Sequence, residues 1–188
     1  CSIQGEGYDS GKPCVFVRLY GCNLKCIYCD QPQSPKDKKK ISVERLMDEV
    51  RKYRIRNVCV TGGEPLIQPE VYSLVYELVT MGYNVSIETN GAVNIDDDPY
   101  NRSYKYVMDI KCPSSHMQSK NIYTNLANLK GQDEVKFVIA NLEDYEFMKW
   151  VMYKYPTKAK ILVSPMFDIN QKQTIGQELC DWIIKDRL

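Results

Sequence analysis

Three cysteines, Cys22, Cys26 and Cys29, fall within the run GCNLKCIYCD. This C-x-x-x-C-x-x-C spacing places three thiolates on one short loop. A 4Fe–4S cluster takes four ligands, usually all cysteine. Three protein ligands leave one iron open, and an open metal position is where chemistry happens. Structural zinc sites are closed instead, and favour paired C-x-x-C units or Cys/His mixtures. The chain has a single histidine, His116, far along the sequence, and no second cysteine pair. Cysteine arithmetic therefore favours a three-ligand cluster. Zinc, and thiols that merely pack, are the competing readings.

A second candidate is Thr61-Gly62-Gly63-Glu64-Pro65. Two glycines let backbone approach a ligand without Cβ atoms in the way, and Glu64 offers an acceptor suited to an ammonium group. A tight turn explains the same residues equally well. The glycines form no G-x-G-x-x-G fingerprint, and no Walker loop is present.

These residues need a scaffold. Apolar runs predict strands near Val15–Tyr20, Val58–Thr61, Val85–Thr89, Tyr106–Ile110, Val135–Ile139 and Ile161–Ser164, with amphipathic helices between most of them. Val71, Leu74, Val75, Leu78 and Val79 form a helical stripe, with Pro69 in its first turn and Gly82 at its stop. Ser42 and Asn141 are N-cap candidates, Pro156 ends the helix that Asn141 begins, and a last helix holds Ile175, Leu179, Trp182 and Ile183. Strand–helix alternation argues for parallel strands with helical crossovers. Side chains alternate along each strand. Each strand thus has an apolar face for helices to cover and a face carrying a polar residue, among them Arg18, Glu88 and Lys136. Burying those charges is costly unless they are paired or face a polar ligand. The polar sides converge where the strands end, the end at which barrel enzymes place their sites. Asn94–Ser103 reads as a polar loop.

The chain has 188 residues, 44% of them apolar, which suits one domain with a sizeable core. A net charge of +1 argues against broad electrostatic binding to nucleic acid or membrane. The basic run Lys36–Lys40 reads as a solvated loop. The remaining cysteines, Cys1, Cys14, Cys59, Cys112 and Cys180, lack framework spacing and read as small hydrophobes. A reducing cytoplasm fits them best. No apolar run reaches membrane-spanning length, and no signal peptide is visible.

Together, the cysteine loop after the first strand and TGGEP after the second resemble the radical S-adenosylmethionine superfamily. The resemblance implies that S-adenosylmethionine chelates the open iron through its amino and carboxylate groups. The reduced cluster then cleaves the sulfonium and releases a 5′-deoxyadenosyl radical. A narrower resemblance spans nearly the whole chain. Ser2-Ile3-Gln4-Gly5-Glu6-Gly7, Val15-Phe16-Val17-Arg18-Leu19, Ile87-Glu88-Thr89-Asn90-Gly91 and Asp109-Ile110-Lys111-Cys112-Pro113-Ser114 are similar to the 7-carboxy-7-deazaguanine synthase family of queuosine and deazapurine biosynthesis. That likeness implies a lyase acting on 6-carboxy-5,6,7,8-tetrahydropterin with loss of ammonia. It also implies Mg²⁺, a flavodoxin- or ferredoxin-like electron donor, a homodimer, and an open, partial TIM-like (β/α)6 barrel.

By the same resemblance, Cys22, Cys26 and Cys29 hold the 4Fe–4S cluster. Tyr28, Asp30, Gly63, Glu64, Glu88, Asp109, Lys111 and Ser114 surround S-adenosylmethionine. Ile3, Gln4, Gly5, Glu6, Arg18 and Thr61 face the pterin, with the Arg18 fork matched to its carboxylate. Gln31 stands where the family usually has a Thr or Ser that meets Mg²⁺; its side-chain carbonyl is still a hard oxygen donor. The chain starts without Met, and the family usually continues into a C-terminal strand past the position of Leu188, so a single domain trimmed at both ends is expected. Two other readings compete: an activase for a glycyl-radical protein, and a non-enzymatic iron–sulfur or zinc module.

Overall fold

A computed structural model describes residues 1–31, 38–95, 102–167 and 175–188. One seven-stranded sheet runs in chain order. β1 (Ser2–Ile3) pairs antiparallel with β2 (Pro13–Leu19), through Ser2 with Cys14 and Ile3 with Pro13. β3 (Asn57–Gly62), β4 (Asn84–Thr89), β5 (Lys105–Ile110), β6 (Glu134–Ile139) and β7 (Lys160–Pro165) then add in parallel. Chain order without reversal means that every crossover advances the sheet the same way. The sheet curls into an open, partial barrel, the α/β arrangement expected from the alternation, with all six parallel strands ending at one mouth.

The helices form where the stripes predicted them. α1 (Val43–Lys52) starts at Ser42, whose side chain accepts from the Arg45 N–H at 3.3 Å. α2 (Val71–Thr80) buries Val71, Leu74, Val75 and Leu78, and Gly82 follows it at φ 79°. Pro69 lies two positions ahead of α2 rather than in its first turn. α3 (Asn125–Asn128) is a single turn. α4 (Leu142–Lys154) is capped by Asn141, which accepts from the Asp144 N–H at 3.0 Å, and α5 (Gly176–Asp186) follows β7. These helices cover Val58, Val60, Val85, Ile87, Met108, Val135 and Phe137 to make the core. Fully burying each such side chain contributes about 1.5–3 kcal/mol.

The predicted pattern needs three amendments. β1 was not anticipated: two residues carry no periodicity, and only pairing with β2 makes them a strand. The crossover from β5 to β6 uses α3 and two 3-10 turns instead of a long helix. From this crossover the buried Asn125 serves the backbone of the segment after β4, accepting from the Ile95 N–H and donating to the carbonyls of Gly91 and Val93. Both faces of the central strands are buried, so Cys59, Thr61 and Ser86 are as hidden as their apolar neighbours, whereas Arg18 is exposed. Parts of the expected loops, residues 36–37 and 96–101, lie outside the described residues. No described helix is long and apolar enough to cross a membrane.

Candidate active site

The three turns at the C-terminal mouth, after β2, β3 and β4, are locked to one another. Gly63 N–H donates to Leu19 O at 3.1 Å and Glu64 N–H to Gly21 O at 2.7 Å. A Cβ on Gly63 would lie 2.1 Å from Gly21 O and 2.8 Å from the Cys22 Cβ, and one on Gly62 would lie 2.1 Å from Leu19 O. The glycine pair thus lets the β3 turn press against the strand and loop that deliver Cys22. The close approach predicted for a ligand is made, in the first instance, by the chain itself.

Glu64 is fully buried. Its carboxylate accepts from Leu66 N–H (3.0 Å), Thr89 hydroxyl (2.8 Å) and Asn90 N–H (2.6 Å). Burial pushes its pKa above the ordinary 4.5, although those donors pull the other way. The structure therefore corrects the ammonium-acceptor role expected of Glu64: the oxygens are occupied by its own chain, joining the β3 turn to the β4 turn.

Beyond the turns opens a cleft of about 980 Å³. Cys22, Cys26, Cys29, Tyr28, Asp30 and Gln31 line one part of it, and Gln4, Gly5, Glu6, Arg18 and Thr61 another. Gly63, Glu88, Asp109 and Lys111 also face it. Three expected residues do not. Glu64 is turned inward; Ile3 is exposed in β1; and the Ser114 hydroxyl accepts from Asn141 Nδ2 at 3.1 Å. Lys136 and Asn90 line the cleft without having been assigned a site role. Lys136 already stood out as a charge on a strand's polar face, and Asn90 sits in a quoted motif.

The cleft is organised by polar contacts. Glu88 accepts from Gln4 Nε2 at 3.2 Å and from the Thr61 hydroxyl at 2.8 Å. Lys136 pairs with Glu6 at 2.6 Å, and Lys111 with Asp109 at 2.7 Å. Burial alone would lower both lysines, but Asp109 raises both, joined by Glu6 and Glu88 at Lys136 and by Cys26 and Cys22 at Lys111, so both stay cationic at neutral pH.

Do these residues suit an iron–sulfur cluster and its partner? All three thiols are free and at least partly accessible. Cys22 Sγ accepts from Leu24 N–H at 3.4 Å and Asn90 Nδ2 at 3.7 Å, the donors that thiolates bound to iron commonly receive. Among the described residues, no three His, Cys, Asp or Glu side chains gather around one metal ion; a multi-iron cluster instead spreads its thiolates over different irons. Two buried polar side-chain atoms of the described residues lack any hydrogen-bond partner, Tyr28 OH and Asp109 Oδ1. Both belong to cleft-lining residues, and buried orphans of this kind are what a polar ligand satisfies. The donor set fits.

Residues 16–100 match the model of the radical SAM superfamily. A 7-carboxy-7-deazaguanine synthase of Methanospirillum hungatei is 44% identical over 88% of this chain and 70% of its own length. Synthases of Koribacter versatilis and Aquifex aeolicus are each 34% identical, over 100% and 95% of this chain and 88% and 79% of their own lengths. The chain belongs to the 7-carboxy-7-deazaguanine synthase family. Among solved structures, Streptococcus suis SuiB superposes with a TM-score of 0.58 at 13% identity, covering 92% of this chain and 46% of SuiB. That likeness speaks for the fold alone. Membership in the family makes the chain a radical SAM enzyme, and the cleft at the strand ends is its candidate active site.

Proposed function

We propose that the protein converts 6-carboxy-5,6,7,8-tetrahydropterin to 7-carboxy-7-deazaguanine with loss of ammonia, a step toward queuosine and related deazapurines. The observation that carries this reading is one cleft presenting three loop thiols together with the Gln4–Glu88–Thr61 and Glu6–Lys136 sets. When bound, a 4Fe–4S cluster and S-adenosylmethionine supply the hydrogen-atom abstraction.

The chain's own residues do the rest. Cys22, Cys26 and Cys29 hold the cluster. Tyr28 and Asp109 offer their unpartnered oxygens to S-adenosylmethionine, while Asp30, Gly63 and Lys111 complete its surroundings. Arg18 gives the substrate carboxylate a bidentate cation. Glu88 fixes the Gln4 amide, so that Gln4 and Thr61 meet the pterin edge with settled orientations. Lys136 keeps its proton and balances Glu6. Gln31 provides a carbonyl oxygen for Mg²⁺. A reducing cytoplasm, a flavodoxin- or ferredoxin-like electron donor and a homodimer complete the proposal. Family membership favours it over a glycyl-radical activase, whose substrate would be a protein backbone.

The test is anaerobic reconstitution with iron and sulfide, followed by incubation with reductant, S-adenosylmethionine, Mg²⁺ and the carboxy-tetrahydropterin. Mass spectrometry should find the deazaguanine acid and an equivalent of ammonia. A cluster-loaded protein that cleaves S-adenosylmethionine but leaves this pterin unchanged overturns the substrate assignment.

A further inference from the structure

We infer that Asn90 is a positioning residue whose side-chain N–H sets the reduction potential of the cluster through Cys22. The inference rests on the cluster-binding half of the proposed function, but not on the identity of the substrate.

The geometry leaves the Asn90 amide one orientation. Its Oδ1 accepts from the Ala92 N–H at 3.0 Å, which obliges Nδ2 to face the other way. Nδ2 then donates to Asn23 Oδ1 at 2.8 Å and toward Cys22 Sγ at 3.7 Å. Asn23 closes the ring, donating from Nδ2 to Ala92 O at 3.2 Å. The backbone N–H of Asn90 is anchored on the buried Glu64 carboxylate. A rigid series of contacts thus runs from the β3 turn through Glu64 and Asn90 to the first thiol of the cysteine loop. Asn90 is also buried, so these contacts rather than solvent hold its amide in place.

Hydrogen bonds to cluster sulfurs help set the reduction potential. A donor stabilises the more negative, reduced state in particular, because that state places more charge on sulfur. Removing the Asn90 donor therefore makes the cluster harder to reduce.

The experiment compares wild type, Asn90→Ala, Asn90→Asp and Asn23→Ala after identical anaerobic loading. Midpoint potentials are read by titration followed in electron paramagnetic resonance, and iron is counted per chain. Asn90→Ala should shift the reduction equilibrium about tenfold toward the oxidised form, which for a one-electron couple is about 59 mV more negative. Asn90→Asp, which exchanges the donor for a carboxylate, should shift it further. Asn23→Ala should shift it in the same direction by less, because Ala92 still orients Asn90. Unchanged potentials in fully loaded Asn90 variants overturn the inference. If neither Asn90 variant folds and loads iron, Asn23→Ala decides, and an unchanged potential there overturns it too. A wild-type chain that takes up no cluster defeats the proposed function instead, so the two failures are distinct.

Discussion

Replacing Glu64 separates a structural carboxylate from a ligand-binding one. Its Oε1 accepts from Leu66 N–H and the Thr89 hydroxyl, and its Oε2 from Asn90 N–H. Glu64→Ala strands two backbone N–H groups that cannot reorient, whereas the Thr89 hydroxyl can rotate. At about 1–3 kcal/mol for each unsatisfied buried donor, the loss is roughly 2–6 kcal/mol. That is a large part of the 5–15 kcal/mol that typically holds a domain together. Glu64→Gln keeps the Oε1 contacts and loses only the one to Asn90, so it should cost about 1–3 kcal/mol. Urea unfolding of the cluster-free chain measures both, with no cofactor needed. The pH dependence adds an independent check. Burial raises the folded pKa of Glu64 above 4.5. The folded state then binds the proton more tightly than the unfolded state. The contribution is complete below about pH 4.5 and is lost as pH rises through the folded value. The stability gap between wild type and Glu64→Gln should therefore shrink as pH rises from that point. Equal losses for Ala and Gln would refute a buried carboxylate held by three donors, and a gap that widens with pH would refute the dominance of burial over those donors in setting its pKa.

Three other substitutions probe different parts of the molecule. Gly63→Ala drives a Cβ to within 2.1 Å of Gly21 O, so the cysteine loop must move; a destabilisation of about 1–3 kcal/mol and a several-fold fall in iron bound per chain are expected, and normal iron content would contradict this. Arg102→Met breaks the Arg102–Asp133 pair, whose contacts are both 2.7 Å and whose partners are 5% and 0% exposed; a loss of about 3–5 kcal/mol should appear in thermal melting, and a change below 1 kcal/mol would show the pair to be dispensable. Arg18→Lys removes the bidentate fork while keeping the charge; KM for the carboxylated pterin should rise roughly tenfold or more with kcat little altered, and an unchanged KM would place the carboxylate elsewhere.

The six parallel strands were legible because each is a short apolar run bounded by turn residues, and the helix starts at Ser42 and Asn141 because capping is a local rule. Three kinds of feature were not legible. β1 exists only through its antiparallel pairing with β2, and two residues hold no pattern. The buried polar residues Asp133, Asn125 and Glu64 serve backbone groups of neighbouring strands and turns, a need that becomes visible only once those segments meet. At the site, residue types could nominate the cysteine loop and TGGEP, but not which atoms would be consumed internally. Glu64 looked like a free acceptor and already takes three donors from its own chain. Asn90 stood in a family-like motif without an assigned role, and its amide reaches sulfur.

The two walls of the cleft are held by different physics. The cysteine wall is fixed by backbone contacts and a buried carboxylate, with glycines removing the steric obstacle. The opposite wall is a strap, Gln4 to Asp9, laid over the sheet and fastened by ions. Period-two alternation places Glu134 and Lys136 on one face of β6. Glu134 accepts from the Tyr8 N–H at 3.2 Å, and Lys136 pairs with Glu6. Lys105, at the start of the adjacent β5, bridges Glu134 to Asp9, the latter contact being 2.6 Å. Gly7 lies between these fastenings at φ 70°, where a Cβ would run into the Glu134 carboxylate. Adjacent strand register thus brings two lysines and one glutamate under the strap; the lysine charges oppose Glu6 and Asp9 above, and Glu134 takes the Tyr8 N–H. Beyond its two-residue pairing with β2 the hairpin fixes Gln4 through its N–H on Lys12 O at 2.9 Å and its carbonyl on Gly11 N–H at 2.8 Å, and the ion pairs from β5 and β6 fasten the rest of the strap.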